Sequence, residues 1–273
     1  MRGEFVEVGR HGMYYYAAGT RGQGDPIILL HGFPTASHLW SNLVPLLPAG
    51  HRIVVPDLLG FGRSGLGERA DLSIGGHAER TIGLMDTLGI DRGCVVGHHM
   101  GACVGVSVAA RAGHRVSHLA LLHPLGGDVT VTSTFAVMRA FLPFVRALPM
   151  SLFRAPVRAE LTRWFSDPVR ARASVDQYMS SWRKPGRWRQ LLRQLAALNA
   201  PDVMECTRAL GTLTMPLAIV ASDHDPAVPR VALDRVREAA PSATLDIIRD
   251  ARHFSPEESP ERIAGVVARL LRS

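Results

Sequence analysis

The sequence predicts an α/β fold built on a mostly parallel sheet, and three observations predict it. Short apolar runs (26–30, 93–96, 116–122) alternate with longer stretches at helical spacing. The run 26–30 is apolar throughout rather than alternating, as a strand covered on both faces is. A strand-poor stretch over 129–210 interrupts the alternation, which then resumes to the C-terminus. At 273 residues and 47% apolar, the chain can bury one large core.

Taken in order, Phe5–Val8 and Met13–Ala18 read as strands, the second rich in tyrosine. Pro26–Leu30 is a buried strand broken by His31-Gly32-Phe33-Pro34, and Ser37–Leu47 has helical spacing through Leu39, Trp40, Leu43 and Leu46. Arg52–Val55 is a strand stopped at Pro56, followed by a glycine-rich loop over Leu59–Gly67. Ser73 is placed to cap a helix running to about Leu88 and ended by Gly89. Gly93–Val96 (strand), Met100–Ala112 (helix) and Val116–Leu122 (strand) complete the first series. Helical segments broken at Pro143, Pro149, Pro156, Pro168, Pro185 and Pro201 fill the insertion. Pro216–Ala221 (strand), Arg230–Ala239 (helix), Thr244–Ile248 (strand) and Pro260–Leu271 (helix) close the chain. The expected division is a core of 1–128 and 211–273 with a helical cap over 129–210.

The formal charge of +7 is uneven, for 129–210 holds twelve arginines and Lys184 against five acids. These arginines follow helical patterns without a nucleic-acid motif, so they read as a solvated face, or as a surface favouring an anionic substrate. Cys94, Cys103 and Cys206 are odd in number and match no metal-knuckle spacing or disulfide framework. Met1–Gly12 has no apolar signal core, and no apolar run approaches the roughly 18 residues that cross a bilayer. A cytoplasmic protein with no nucleic-acid or membrane partner is expected.

Four motifs carry the chemistry. His31-Gly32-Phe33-Pro34 follows the third strand, and Asp57-Leu58-Leu59-Gly60-Phe61-Gly62-Arg63-Ser64-Gly65 follows the fourth. Gly97-His98-His99-Met100-Gly101 stands between a strand and a helix, with glycines two residues either side of its centre. Asp225 and His253 follow the last two strands. In this order the motifs resemble the α/β-hydrolase fold family, over nearly the whole chain, and the resemblance implies an eight-stranded, mostly parallel sheet. It also implies an oxyanion hole from the Phe33 and Met100 backbone N–H groups, a general base at His253 and an orienting acid at Asp225. Asp223 and Asp128 compete for the acid's role, and Asp225 is preferred. His31 and His98 read as structural, and Cys103 as core.

His99 departs from the family, which places serine, aspartate or cysteine at this position. Histidine tolerates the positive φ of such a turn better than most side chains. A neutral imidazole is also nucleophilic toward activated acyl groups. Three readings stand open: a hydrolase using a His99/Asp225/His253 constellation, a non-hydrolytic proton-transfer enzyme of lyase or cofactor-independent oxygenase type, and a binder without turnover. Engineered replacement of a serine or aspartate is a further source for His99. The leading expectation is hydrolysis of an ester-, lactone- or similar carbonyl-containing substrate without metal or cofactor. Trp40 and the cap residues Phe141, Phe144, Trp164, Tyr178 and Trp182 are candidates for binding a mid-sized, largely apolar molecule, with an anionic one also compatible.

Overall fold

The computed structural model describes residues 3–20, 22, 24–65, 70–130, 133–184 and 186–273. Eight strands form one sheet: β1 (Gly3–Val8), β2 (His11–Ala18), β3 (Gly24–Leu30), β4 (His51–Pro56), β5 (Gly93–His98), β6 (Val116–Leu122), β7 (Leu217–Ser222) and β8 (Thr244–Ile248). Their spatial order is β1-β2-β4-β3-β5-β6-β7-β8, with β2 antiparallel to both β1 and β4 and every later pairing parallel. The central strand β5 is buried along its whole length, as its apolar run Gly93–Val96 leads one to expect. The fold is the expected α/β-hydrolase architecture.

Register sets the carboxyl ends of the central strands level. Leu30 pairs with Gly97, His98 with Leu122, and Leu122 with Val220. Residues just past these ends therefore share one rim of the sheet, where open α/β sheets form their crevices.

Helices α1 (Ile74–Thr87) and α2 (Met100–Arg111) follow β4 and β5, and α2 packs on β5 and β6. Ser73 caps α1 as expected, its Oγ accepting from Gly76 N at 3.0 Å. Between β6 and β7 lie α3 (Ser133–Ala140), α4 (Leu142–Ala147), α5 (Arg154–Arg163), α6 (Pro168–Trp182), α7 (Arg187–Ala197) and α8 (Ala200–Ala209). After β7 come α9 (Arg230–Ala239), α10 (Ser255–Glu258) and α11 (Pro260–Leu270).

Three expectations need correction. The stretch Ser37–Leu47 is two 3-10 turns, Ser37–Trp40 and Val44–Leu46, because Pro45 lacks the N–H that an α-helix would use there. Pro143, Pro168 and Pro201 lie in the first turns of α4, α6 and α8, where the missing N–H costs nothing, so they start helices rather than break them. The short helix α10 was not expected. Pro185, and Leu66 and Gly67 of the glycine-rich loop, lie outside the described residues. Among the described residues no helix is long and apolar enough to cross a membrane.

α10 joins the insertion to the sheet. Glu258 Oε1 accepts from Ser166 N and Oγ at 2.6 Å and from Asp167 N at 3.1 Å, while its Oε2 accepts from Arg252 N at 3.0 Å. Its neighbour Glu257 accepts from the hydroxyls of Ser174 and Tyr178 on α6. Burial, reinforced by Glu258, pushes the Glu257 carboxyl up to about 7 although both hydroxyls oppose the shift. A carboxyl raised from 4.5 contributes stability that is full below 4.5 and is lost as the pH rises through about 7. Glu257→Gln keeps an acceptor for Tyr178 and removes the titration. Its melting temperature should therefore gain on the wild type between these pH values, by the equivalent of at most about 3 kcal/mol. Parallel melting curves for the two proteins across that window would refute the account.

Candidate functional site

The turn between β5 and α2 holds His99 at φ 53° and ψ −117°, a conformation seldom adopted by a residue with a side chain. The glycines around it are dictated by close approach. A Cβ on Gly97 would lie 2.2 Å from Gly101 O, and one on Gly101 would lie 2.2 Å from Leu30 O. His99 N donates to Leu122 O at 2.9 Å, tying the turn to the end of β6. Among the described residues the other non-glycine at positive φ is His123, at 48°, just past β6. Each such residue stores roughly 1–3 kcal/mol of strain, and such strain gathers at functional sites.

These two strained histidines belong to one cluster. Asp225 Oδ1 accepts from Ala227 N at 2.8 Å and Val228 N at 3.0 Å. Its Oδ2 lies 2.9 Å from His253 Nδ1 and 2.7 Å from His123 Nδ1. An ionised carboxylate only accepts, so both imidazoles carry a proton on Nδ1. In its neutral form His123 then accepts the Ser255 hydroxyl proton at Nε2, where the two atoms stand 2.7 Å apart. His253 is steadied further by its N–H to Trp164 O at 3.1 Å and by His98 Nε2, which donates to His253 O at 2.9 Å. His253 Nε2 and His99 Nδ1 are buried without a hydrogen-bond partner, and their rings stand 5.1 Å apart at nearly right angles. Among the described residues six other buried side-chain N or O atoms are in the same state, so it is their position at the elbow that sets these two apart.

Electrostatics follow from burial. Burial would raise the Asp225 carboxyl, but the adjacent His253 and His123 hold it well below the usual carboxylate range. Burial pushes His99 far below the ordinary histidine value, helped by His253, so its ring is neutral. The same cause lowers His253, with Asp225 opposing, and lowers His98 strongly. The site holds one carboxylate, with His98, His99 and His253 pushed toward their neutral forms.

A family profile described as the alpha/beta hydrolase fold matches residues 25–260. The chain belongs to this family. It is 28% identical over 263 residues to a haloalkane dehalogenase of Mycobacterium marinum, covering 92% of this chain and 86% of that one. It is 26% identical to a soluble epoxide hydrolase of Corynebacterium sp., covering 91% and 90%. The crystal structure of the enol-lactonase from Burkholderia xenovorans superposes with a TM-score of 0.82 at 22% identity, over 99% of this chain and all of that one, which speaks to fold alone. The relatives are hydrolases, and this α/β hydrolase is assigned to that broad class.

Within the α/β-hydrolase frame, the structure brings together His99, Asp225, His253, Phe33 and Met100. Met100 opens α2, and the Phe33 turn packs on the elbow so closely that a Cβ on Gly32 would sit 2.6 Å from His99 Cβ. Asp128 is exposed, and Asp223 is exposed in an ion pair with Arg249 at 3.8 Å, so neither approaches His253 as Asp225 does. His31 accepts from Leu58 N at 2.9 Å through Nε2, a structural tie between two loops, and Cys103 is buried in the core. Of the candidate binding residues, Trp164 is buried with its ring 5.0 Å from that of His253, and Trp40 is buried 6.4 Å from the ring of His98. Tyr178 is occupied by Glu257, and Trp182 lines a separate crevice with Phe61 and Leu191. Phe141 and Phe144 are 58% and 72% exposed and are not brought to the cluster, a correction to the expectation that they bind substrate. Their helix turns its other side inward.

Sequence reasoning missed His123 and Ser255. The usable signal was a histidine one residue beyond β6, on the same rim as His99 and Asp225. It belongs to no motif, and only the fold reveals its carboxylate partner. His123, Asp225 and His253 also offer ligand atoms within 4.8 Å of one another, close enough to hold a metal ion. A metal would have to replace both N–H···O bonds that already satisfy them. A cleft of about 500 Å³ reaches His123 and Asp225 between Arg163, Arg230 and Arg252, without touching His99.

Because His123 shares Oδ2 and itself depresses His253, His123→Ala should raise the pH at which His253 titrates. It should also cost roughly 1–3 kcal/mol of stability through the lost buried hydrogen bonds. Imidazole NMR titration reads the first and thermal unfolding the second. An unmoved His253 midpoint would defeat the shared-carboxylate account.

Proposed function

We propose that this protein hydrolyses an ester, lactone or similar activated carbonyl bond in a mid-sized, largely apolar molecule, with 129–210 acting as a cap. The observation that carries the reading is the elbow itself, which presents neutral His99 beside a His253 whose Nδ1 is held by Asp225. A lone pair on the His99 ring attacks the carbonyl carbon, and the oxyanion is received by the Phe33 and Met100 N–H groups. Collapse expels the alkoxide and leaves an acyl-imidazolium, and the proton on its other ring nitrogen passes to the alkoxide, giving the alcohol and a neutral acyl-imidazole. His253 Nε2 then removes a proton from water as it attacks the acyl carbon, Asp225 stabilises the imidazolium that forms, and as the carbonyl reforms the C–N bond to His99 breaks and the proton on His253 goes to the departing ring. Phe33, Phe135 and Trp164, with ring centroids 5.1 and 5.7 Å apart in succession, give the site an apolar roof.

The near-complete burial of His99 and His253 favours a second reading, proton transfer on a bound molecule without water. Labelled water separates the two, because hydrolysis places solvent oxygen in the product acid.

Aryl esters and lactones should be turned over with an acyl adduct on His99, read by mass spectrometry of the quenched protein. His253→Ala should lower the rate by about 10²–10⁴-fold. Turnover by His99→Ser alone, with none by the wild type, would reject His99 as nucleophile. Since His253 must be neutral to act as base, kcat/KM should fall on acidification through a midpoint below 6.5. A midpoint above 6.5 would show that another group governs the rate.

A further inference from the structure

Two imidazoles and a carboxylate converge on one point at the rim of the sheet. His123, Asp225 and His253 offer ligand atoms that all lie within 4.8 Å of one another. Both rings turn Nδ1 toward Asp225 Oδ2, at 2.7 Å for His123 and 2.9 Å for His253. Two imidazole nitrogens and one carboxylate oxygen are a donor set for zinc and similar divalent transition metals. Protons fill the point when no metal is there, for each Nδ1 carries one toward Oδ2.

Each of those protons has another place to go. A neutral imidazole can move its proton from Nδ1 to Nε2, by way of solvent, and stay neutral. His253 Nε2 is buried without a hydrogen-bond partner, so a proton there displaces none. His123 Nε2 lies 2.7 Å from Ser255 Oγ, and a hydroxyl can accept where it had donated. Ser255 therefore holds His123 in either tautomer, as a partner on the outer nitrogen steadies a metal-binding histidine. The protons balance, since each ring keeps one and none is released. Two N–H···O bonds are exchanged for two N–metal bonds and one O–metal bond. Tetrahedral zinc sets its ligand atoms about 3.3 Å apart, so the rings must open from Oδ2 by roughly half an ångström.

A way in avoids the elbow. The cleft of about 500 Å³ touches His123 and Asp225 but not His99 or His253, and its water can complete the coordination. Its lining arginines oppose a free cation, yet Arg163 pairs with Glu160 at 3.6 Å and Arg230 with Asp234 at 3.1 Å. Arg252 Nη1 donates to Arg163 O at 3.1 Å and Phe165 O at 3.4 Å. We propose that His123 Nδ1, His253 Nδ1 and Asp225 Oδ2 bind one divalent transition-metal ion of the zinc class, entering from this cleft. The ion is an inhibitor and not a cofactor. With its proton on Nε2, His253 has no lone pair to offer water, a consequence that rests on the hydrolase reading, whereas binding does not.

Titration calorimetry of the full chain with zinc chloride, alongside imidazole nitrogen NMR, tests the proposal without reading turnover. Zinc should bind saturably, and the spectra should show both His123 and His253 protonated on Nε2 in the zinc form. His123→Asn keeps an N–H for Asp225 but offers no ring nitrogen, and should weaken binding roughly tenfold or more. Ser255→Ala should weaken it by a similar factor. His224→Ala, at an exposed histidine of the same cleft, should bind zinc as the wild type does. Nδ1 protons that stay on His123 and His253 in saturating zinc would overturn the proposal. Equal binding by His123→Asn and wild type, or loss only in His224→Ala, would overturn it too. Where an ester is turned over, zinc should stop turnover and a chelator restore it. Continued turnover with the site filled would overturn the inhibitory role.

Discussion

The Asp225 carboxylate is the interaction on which the site depends. Its Oδ1 is fixed by two backbone N–H groups, and its Oδ2 receives both His253 and His123. A buried carboxylate is unfavourable unless its lone pairs are filled, and here four donors fill them. The arrangement sets both tautomers, since each Nδ1 must carry its proton toward Oδ2. It also aims His253 Nε2 away from the acid, as a buried lone pair without a partner. Sharing one oxygen between two imidazoles divides the stabilisation that a lone partner would receive. His253 is accordingly left less basic than an ordinary histidine, with burial the larger cause.

The elbow imposes the second constraint. Gly97 and Gly101 permit three chain segments to meet within van der Waals contact, and that contact forces the intervening residue into an uncommon conformation. The geometry makes no demand on the chemistry of the side chain beyond tolerance of positive φ. Histidine can therefore occupy the place without loss of the fold, while the chemistry available there changes. A serine needs a base to remove its proton, whereas a neutral imidazole already presents a lone pair.

The insertion is tied to this centre through the residues just after His253. Ser255 holds His123, Glu257 holds α6, and Glu258 holds the segment between α5 and α6. One short helix thus links His253, His123 and the insertion. A buried acid in such a joint makes the attachment sensitive to protonation, because Glu257 favours its neutral form where most carboxyls are ionised.

Much of this was legible in the sequence. Unbroken apolar runs and their alternation with helical spacing determined the parallel sheet, since strands covered on both faces leave no other pattern. The glycines flanking His99 determined the elbow, and the sequence set Asp225 and His253 after the last two strands, where the structure joins them by a hydrogen bond. Local chemistry also misled. Helical spacing over 37–47 concealed Pro45, and aromatic residues at 141 and 144 read as pocket when they face outward. Periodicity reports that a helix has an apolar side but not which neighbour that side meets. Only the tertiary structure decided that His123, over a hundred residues before Asp225 in the chain, completes its carboxylate. A strand's register brings such residues to one rim, and register is a property of the paired strands rather than of either segment alone.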